Sequence, residues 1–140
     1  MKIYKIGIIG CGGIAQKMAA TLEKMKGVER YAVASRNQEK AEAFANKWGF
    51  TKAYGSYEEL ASDPEVDLIY IATPHAMHYD NAHMCIEKGK PVLCEKAFTA
   101  NARQAEDLLA FAKEKGVFIT EAIWTRYMPL SLKIQELLKE

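Results

Sequence analysis

Apolar residues along this chain fall into short runs separated by segments of helical period, and the alternation repeats from one end to the other. Tyr4-Lys5-Ile6-Gly7-Ile8-Ile9 is a short run that breaks into Gly10-Cys11-Gly12-Gly13 and passes straight into a helical pattern. A stripe at Ile14, Met18, Leu22 and Met25 predicts a helix that Gly27 ends. Tyr31-Ala32-Val33-Ala34 predicts a second strand, and Asn37 suits the N-cap of a helix with stripe Ala41, Phe44, Ala45 and Trp48. Ser56 with Glu59 forms a capping-box pair opening a short helix. Residues 66–72 are apolar almost throughout, as a parallel strand covered on both faces must be. A helix over about residues 76–88, stopped by Gly89, precedes a strand at Val92-Leu93-Cys94. Asn101 and Gln104 make a variant cap for a helix with stripe Ala105, Leu108, Leu109 and Ala112, ended by Gly116. Val117-Phe118-Ile119-Thr120 is the last strand, and residues 130–140 are amphipathic, with Leu130, Ile134, Leu137 and Leu138 on one side.

Strand–helix units joined by short connections predict an α/β fold, a doubly wound parallel sheet of six main strands, because parallel neighbours require crossover helices. The glycines after the first strand change this from an architecture into a chemistry. Gly10, Gly12 and Ala15 match G-x-G-x-x-A, the dinucleotide fingerprint of a Rossmann-type fold. Gly10 permits a tight strand-to-helix turn, Gly12 lets backbone approach a pyrophosphate, and Ala15 lets the helix pack closely on the strand. Gly13 and Ile14 complete the turn, where free amides and the helix dipole favour negative charge.

The end of the second strand bears on which dinucleotide fits. A carboxylate there selects the ribose hydroxyls of NAD, whereas an Arg accommodates the 2′-phosphate of NADP. The chain reads Ala34-Ser35-Arg36-Asn37, with no acid between Tyr31 and Gln38. Ser35 and Arg36 are the expected phosphate contacts, favouring NADP, with NAD the other option.

Composition narrows the partners. The 140 residues are 49% apolar and 26% charged with a formal net charge of +1, which gives no reason to expect nucleic acid or an anionic membrane. No apolar stretch approaches the roughly 18 residues of a membrane span. Cys11, Cys85 and Cys94 are odd in number and sit among apolar residues, so they read as reduced thiols of a cytoplasmic protein. His75, His78, His83 and Cys85 raise a metal reading, but His78 and His83 are five apart and do not share a helix face, so no metal is expected.

Two further stretches fall where strands end: Ala72-Thr73-Pro74-His75-Ala76-Met77-His78, and Gly89-Lys90-Pro91-Val92-Leu93-Cys94-Glu95-Lys96-Ala97. Together with the fingerprint, they resemble the N-terminal domain of the glucose–fructose oxidoreductase / inositol dehydrogenase family of NAD(P)-dependent oxidoreductases, over essentially the whole chain. Glu121-Ala122-Ile123-Trp124-Thr125-Arg126-Tyr127 is similar to the dimeric dihydrodiol dehydrogenase / NADP-linked xylose dehydrogenase branch.

The resemblance implies hydride transfer between nicotinamide and a secondary alcohol carbon of a sugar or cyclic diol. It implies Lys96 as catalytic lysine, with Thr73, Pro74, His78 and Glu95 at the cofactor, and Trp124, Arg126 and Tyr127 on the substrate side. Family members usually carry Pro after the Glu-Lys pair; Ala97 stands there in this chain, so Lys96 is expected to be less firmly held. The resemblance also implies a dinucleotide-binding domain over residues 1–125, with 126–140 starting a connection toward a second, substrate-binding domain that is absent from the chain. That domain would carry the homo-oligomer interface of the complete enzyme. The chain alone is then expected to be inactive, and the alternative reading is a stand-alone cofactor-binding module.

Overall fold

The structure, a computed structural model, describes residues 2–139. Its strands are β1 (Tyr4–Ile9), β2 (Val28–Ala34), β3 (Lys52–Tyr54), β4 (Leu68–Ile71), β5 (Val92–Glu95) and β6 (Ile119–Ala122). They form one sheet in the order β3-β2-β1-β4-β5-β6, and every pairing is parallel. Chain order reverses between β1 and β4, so the turns leaving these two strands diverge and open a crevice at the carboxyl edge of the sheet.

Helices cover the two faces unequally. Helices α1 (Gly13–Lys24) and α2 (Gln38–Trp48) pack Ala15, Ala19, Leu22, Phe44 and Ala45 against Ile6, Ile8, Val33 and Tyr70. On the other face, α3 (Tyr57–Ser62), α4 (His78–Glu87) and α5 (Ala102–Lys115) pack Leu60, Ala82, Cys85, Ile86 and Leu108 against Ile9, Ile69, Ile71 and Val92. A last helix, α6 (Pro129–Leu137), has no buried residue. No helix among the described residues is long and apolar enough to cross a membrane.

The caps form as the sequence predicts: Asn37, Ser56 and Asn101 accept hydrogen bonds from the amides of Lys40, Glu59 and Gln104. Several boundaries differ. The buried stripe of α1 is Ala15, Ala19 and Leu22, while Ile14 and Met25 are exposed. Small residues let α1 lie close to the sheet, and this rotates Ile14 outward to the crevice. Leu109 of α5 is likewise exposed, with Phe111 packing in its place. Residues 75–77 form a 3-10 turn before α4, and β6 begins two residues later than its apolar run suggests. Strand β3 is only three half-buried residues and carries no strand signature of its own.

That short edge strand is held by Asp63, whose side chain is 3% exposed. Its carboxylate accepts hydrogen bonds from the Tyr54 hydroxyl at 2.6 Å, the Lys52 ammonium at 2.9 Å and the Glu65 amide at 2.9 Å. Burial raises the cost of ionising Asp63, but these hydrogen bonds and the Lys52 charge outweigh it and hold the carboxyl at about 2, below its usual 3.8. A lowered folded-state value means that the unfolded chain binds the proton more readily. The stabilisation is therefore complete above pH 3.8 and is lost as pH falls through about 2. Asp63→Asn should lower stability by about 2 kcal/mol at neutral pH. In urea melts, the difference from the starting chain should shrink between those two pH values; a difference independent of pH would refute the assignment.

Candidate cofactor and active site

Both diverging turns are shaped by the backbone. Gly10 ends β1 with φ +104°, a left-handed value that excludes most side chains, and a Cβ there would lie 2.7 Å from the Ala72 carbonyl oxygen. The turns after β1 and β4 thus approach too closely for anything but glycine. Gly12 caps α1 without a side-chain hydrogen bond, and a Cβ at Gly12 or Gly13 would meet nothing within 4 Å. The first amides of α1, which lack intrahelical acceptors, therefore border open space. That combination fits a pyrophosphate: donors, a helix N-terminus and room for the phosphates. Ala15 is fully buried and contributes through helix packing.

From Gly12 a cleft of about 260 Å³ runs toward the ends of β1, β2 and β4, lined by Cys11, Ser35, Arg36, Lys40, Tyr57, Thr73 and Pro74 among others. The Ser35 amide donates to the Tyr54 carbonyl at 3.1 Å, fixing the turn that presents Arg36. Among the described residues no carboxylate lines this cleft, and two cations do. Lys40 and Tyr57 were not picked out by sequence reasoning. The four-residue spacing of Arg36 and Lys40 was the available signal for one; nothing local marks Tyr57, which reaches the cleft because β3 pairs with β2 and ends beside Ser35 and Arg36. Burial pushes the Tyr57 phenol up, and the neighbouring Arg36 charge pulls the other way. Burial likewise raises the Cys11 thiol, with Ser35 and Lys40 opposing it.

At the other end, Ile14, Thr73, His75, Glu95 and Lys96 line a cleft of about 140 Å³, so Thr73 borders both spaces. The Thr73 hydroxyl accepts from Asn81 at 3.0 Å. Lys96 is exposed at the end of β5, and the Lys96–Ala97 peptide bond is cis. The segment carrying it is tied from three sides. The Lys96 amide donates to Glu95 at 3.1 Å, His78 Nδ1 lies 2.8 Å from the Ala97 carbonyl oxygen, and the Phe98 amide donates to Glu121 at 2.8 Å. Side chains from α4 and β6 thus hold the backbone of the turn that carries Lys96, with Ala97 in it.

His78 is fully buried, with Nε2 lying 2.9 Å from the Thr73 carbonyl oxygen, so its ring brackets the turns after β4 and β5. Trp124 is exposed and lines a groove of about 380 Å³ with Ile14, Met18, Tyr70 and Glu95. Arg126 and Tyr127 are exposed in the same 3-10 turn but line none of these three spaces.

Residues 4–122 match the family model described as the oxidoreductase family, NAD-binding Rossmann fold. The chain is 47% identical to D-xylose 1-dehydrogenase (NADP(+)) of Hypocrea jecorina, over 96% of the chain and 37% of that protein. It is 41% identical to trans-1,2-dihydrobenzene-1,2-diol dehydrogenase of Xenopus tropicalis, over 97% of the chain and 42% of that protein. An NAD binding oxidoreductase from Klebsiella pneumoniae superposes with a TM-score of 0.93 at 33% identity, covering 98% of the chain and 38% of its own. The chain thus spans about two fifths of the length of these relatives. With its crevice, its glycine turn and this match over residues 4–122, the chain belongs to the glucose–fructose oxidoreductase / inositol dehydrogenase family of NAD(P)-dependent oxidoreductases.

Proposed function

We propose that this chain provides the NADP(H)-binding and lysine-bearing half of a dehydrogenase acting at a secondary alcohol carbon of a sugar or cyclic diol. The observation that carries this is the order of groups along one sheet edge. Arg36 and Lys40 stand at one end, the open glycine turn in the middle, and Lys96 beside Glu95 at the other. Similarity to a xylose dehydrogenase named for NADP(+) and to a diol dehydrogenase supports the same cofactor and substrate class.

The bound nicotinamide would supply the hydride acceptor or donor. The residues of this chain would hold the cofactor and act on the reacting oxygen. The amides of the glycine turn bind the pyrophosphate, and Ser35, Arg36 and Lys40 meet the 2′-phosphate. The Lys96 ammonium donates a hydrogen bond to the reacting oxygen, orients it, and stabilises the charge that develops there. In reduction the ammonium passes a proton to that oxygen, and in oxidation the neutral amine takes the alcohol proton and becomes the ammonium. For the 140-residue chain itself we infer binding without turnover: Lys96 is exposed and Trp124 stands 65% exposed, so the chain supplies little to enclose a substrate. The three cysteines are free thiols, with burial pushing Cys85 and Cys94 up to about 12, which suits a reducing compartment such as the cytoplasm.

Arg36→Asp tests the cofactor preference. The 2′-phosphate carries close to two negative charges, so replacing a guanidinium by a carboxylate removes a charge-assisted contact and adds repulsion. Calorimetry should show NADPH binding weakened about ten- to a hundredfold, the exposed site being screened by solvent. NADH affinity should hold or improve, since the new carboxylate can accept from the ribose hydroxyls. A variant that keeps its preference, or a starting chain that never favours NADPH, would make Arg36 an ordinary solvated residue.

A further inference from the structure

Tyr70 lies on β4 with its ring 2% exposed, in the layer of side chains beneath α1. A phenol buried this deeply costs stability unless its hydroxyl is bonded. Its partner is Glu95 on the adjacent strand: the Tyr70 hydroxyl donates to Oε1 of a carboxylate that is itself only 9% exposed. The other oxygen, Oε2, accepts the Lys96 amide at 3.1 Å. Both oxygens are thereby engaged, one from beneath the sheet edge and one from the lysine turn. Glu95 also borders two spaces, the 140 Å³ cleft with Lys96 and the 380 Å³ groove with Trp124. Tyr70 lines only the second of these.

We propose that Tyr70 is a positioning residue for the reacting end of the cofactor site, its hydroxyl fixing the Glu95 carboxylate in the wall that the nicotinamide ring meets. The inference rests on the cofactor reading given above and adds a residue that acts through Glu95. A carboxylate with one free oxygen in a half-open wall would sample several rotamers; the phenol removes that freedom before any ligand arrives, which is the physical content of preorganisation. Burial, and then the hydrogen bond and charge of Glu95, push the Tyr70 phenol far above its ordinary range, so it remains a donor at every working pH.

Tyr70→Phe removes one oxygen and keeps the ring, and two ligands separate the roles. NADPH carries the nicotinamide ring, whereas 2′-phospho-ADP-ribose is the same molecule without it. In calorimetry on the 140-residue chain, Tyr70→Phe should weaken NADPH roughly fivefold or more while 2′-phospho-ADP-ribose binds as before. Added to Glu95→Ala, which removes the acceptor of the Tyr70 hydroxyl, it should cause no further loss, because Tyr70 acts through Glu95. Unchanged NADPH affinity, equal losses for both ligands, or additive losses in the double variant would each overturn the positioning role.

A measurement on the unaltered chain is independent of how the variants fold. In NMR spectra the Tyr70 ring resonances should shift on adding NADPH and stay in place with 2′-phospho-ADP-ribose; a ring indifferent to NADPH overturns the proposal. Failure of the unaltered chain to bind 2′-phospho-ADP-ribose at all would instead defeat the cofactor reading, and this inference with it.

Discussion

Gly12→Val should abolish NADPH binding and leave the fold standing. At Gly12 the backbone is extended (φ −81°, ψ −172°), which valine adopts freely, and a Cβ there meets nothing within 4 Å. The cost to the domain is that of a poorer N-cap, under about 1 kcal/mol. The added isopropyl group, however, stands in the space over the first amides of α1, where the pyrophosphate must lie. Affinity should fall on the order of a hundredfold or more, the equivalent of about 3 kcal/mol.

Gly10→Ala makes the informative contrast. Its φ of +104° and a Cβ 2.7 Å from the Ala72 carbonyl oxygen set the new methyl against backbone that cannot yield cheaply. That variant should lose about 2–4 kcal/mol of stability. Thermal melts alongside calorimetry distinguish the two outcomes. Gly12→Val binding NADPH as well as the starting chain would remove the phosphates from this turn.

Lys96→Met, introduced into a two-domain enzyme built around this chain, should lower kcat on the order of a hundredfold or more with cofactor affinity nearly unchanged. The ammonium is assigned to the reacting oxygen and lies at the far end of the crevice from Arg36 and Lys40, so the dinucleotide loses no ion pair. Methionine preserves most of the stem and its packing while removing the donor and the charge. The turn should keep its shape, because its ties run through the Lys96 amide, the Ala97 carbonyl and the Phe98 amide, and none involves the ammonium. A near-normal kcat would reduce Lys96 to a surface lysine, and a parallel fall in NADPH affinity would place it on the cofactor.

The strand–helix order and all three side-chain caps were legible because each rests on local chemistry: apolar period, cap residue, glycine stop. Arg36 was legible for the same reason, since the residues ending a strand sit together in sequence and in space. What escaped depends on contacts between distant segments. Strand β3 is a strand because β2 offers it a partner and Asp63 holds it, and its own three residues, Lys52, Ala53 and Tyr54, have no period. Tyr57 reaches the cleft because the pairing of β3 with β2 brings the start of α3 beside Ser35 and Arg36. The outward turn of Ile14 reflects how closely Ala15 and Ala19 let α1 approach, which a hydrophobic stripe does not encode. The contacts of His78 were not legible either: its two ring nitrogens face carbonyls that lie 5 and 19 residues away along the chain.

Strands β1 and β4 lie at the middle of the sheet, each hydrogen-bonded to neighbours on both sides, while β3 and β6 form its edges. Edge strands exchange their amide protons through local fraying, whereas central strands expose theirs only when the domain opens as a unit. The phosphate-facing turns grow from the central pair, so a bound dinucleotide draws on global opening. Its linkage free energy, RT ln(1 + [L]/Kd), is added to the whole domain and almost none of it to the edges. Release of the ligand and fraying of β3 are then joined only where the Tyr54 carbonyl holds the Ser35 amide, so a chain with that edge loosened keeps the glycine turn and loses support for Arg36.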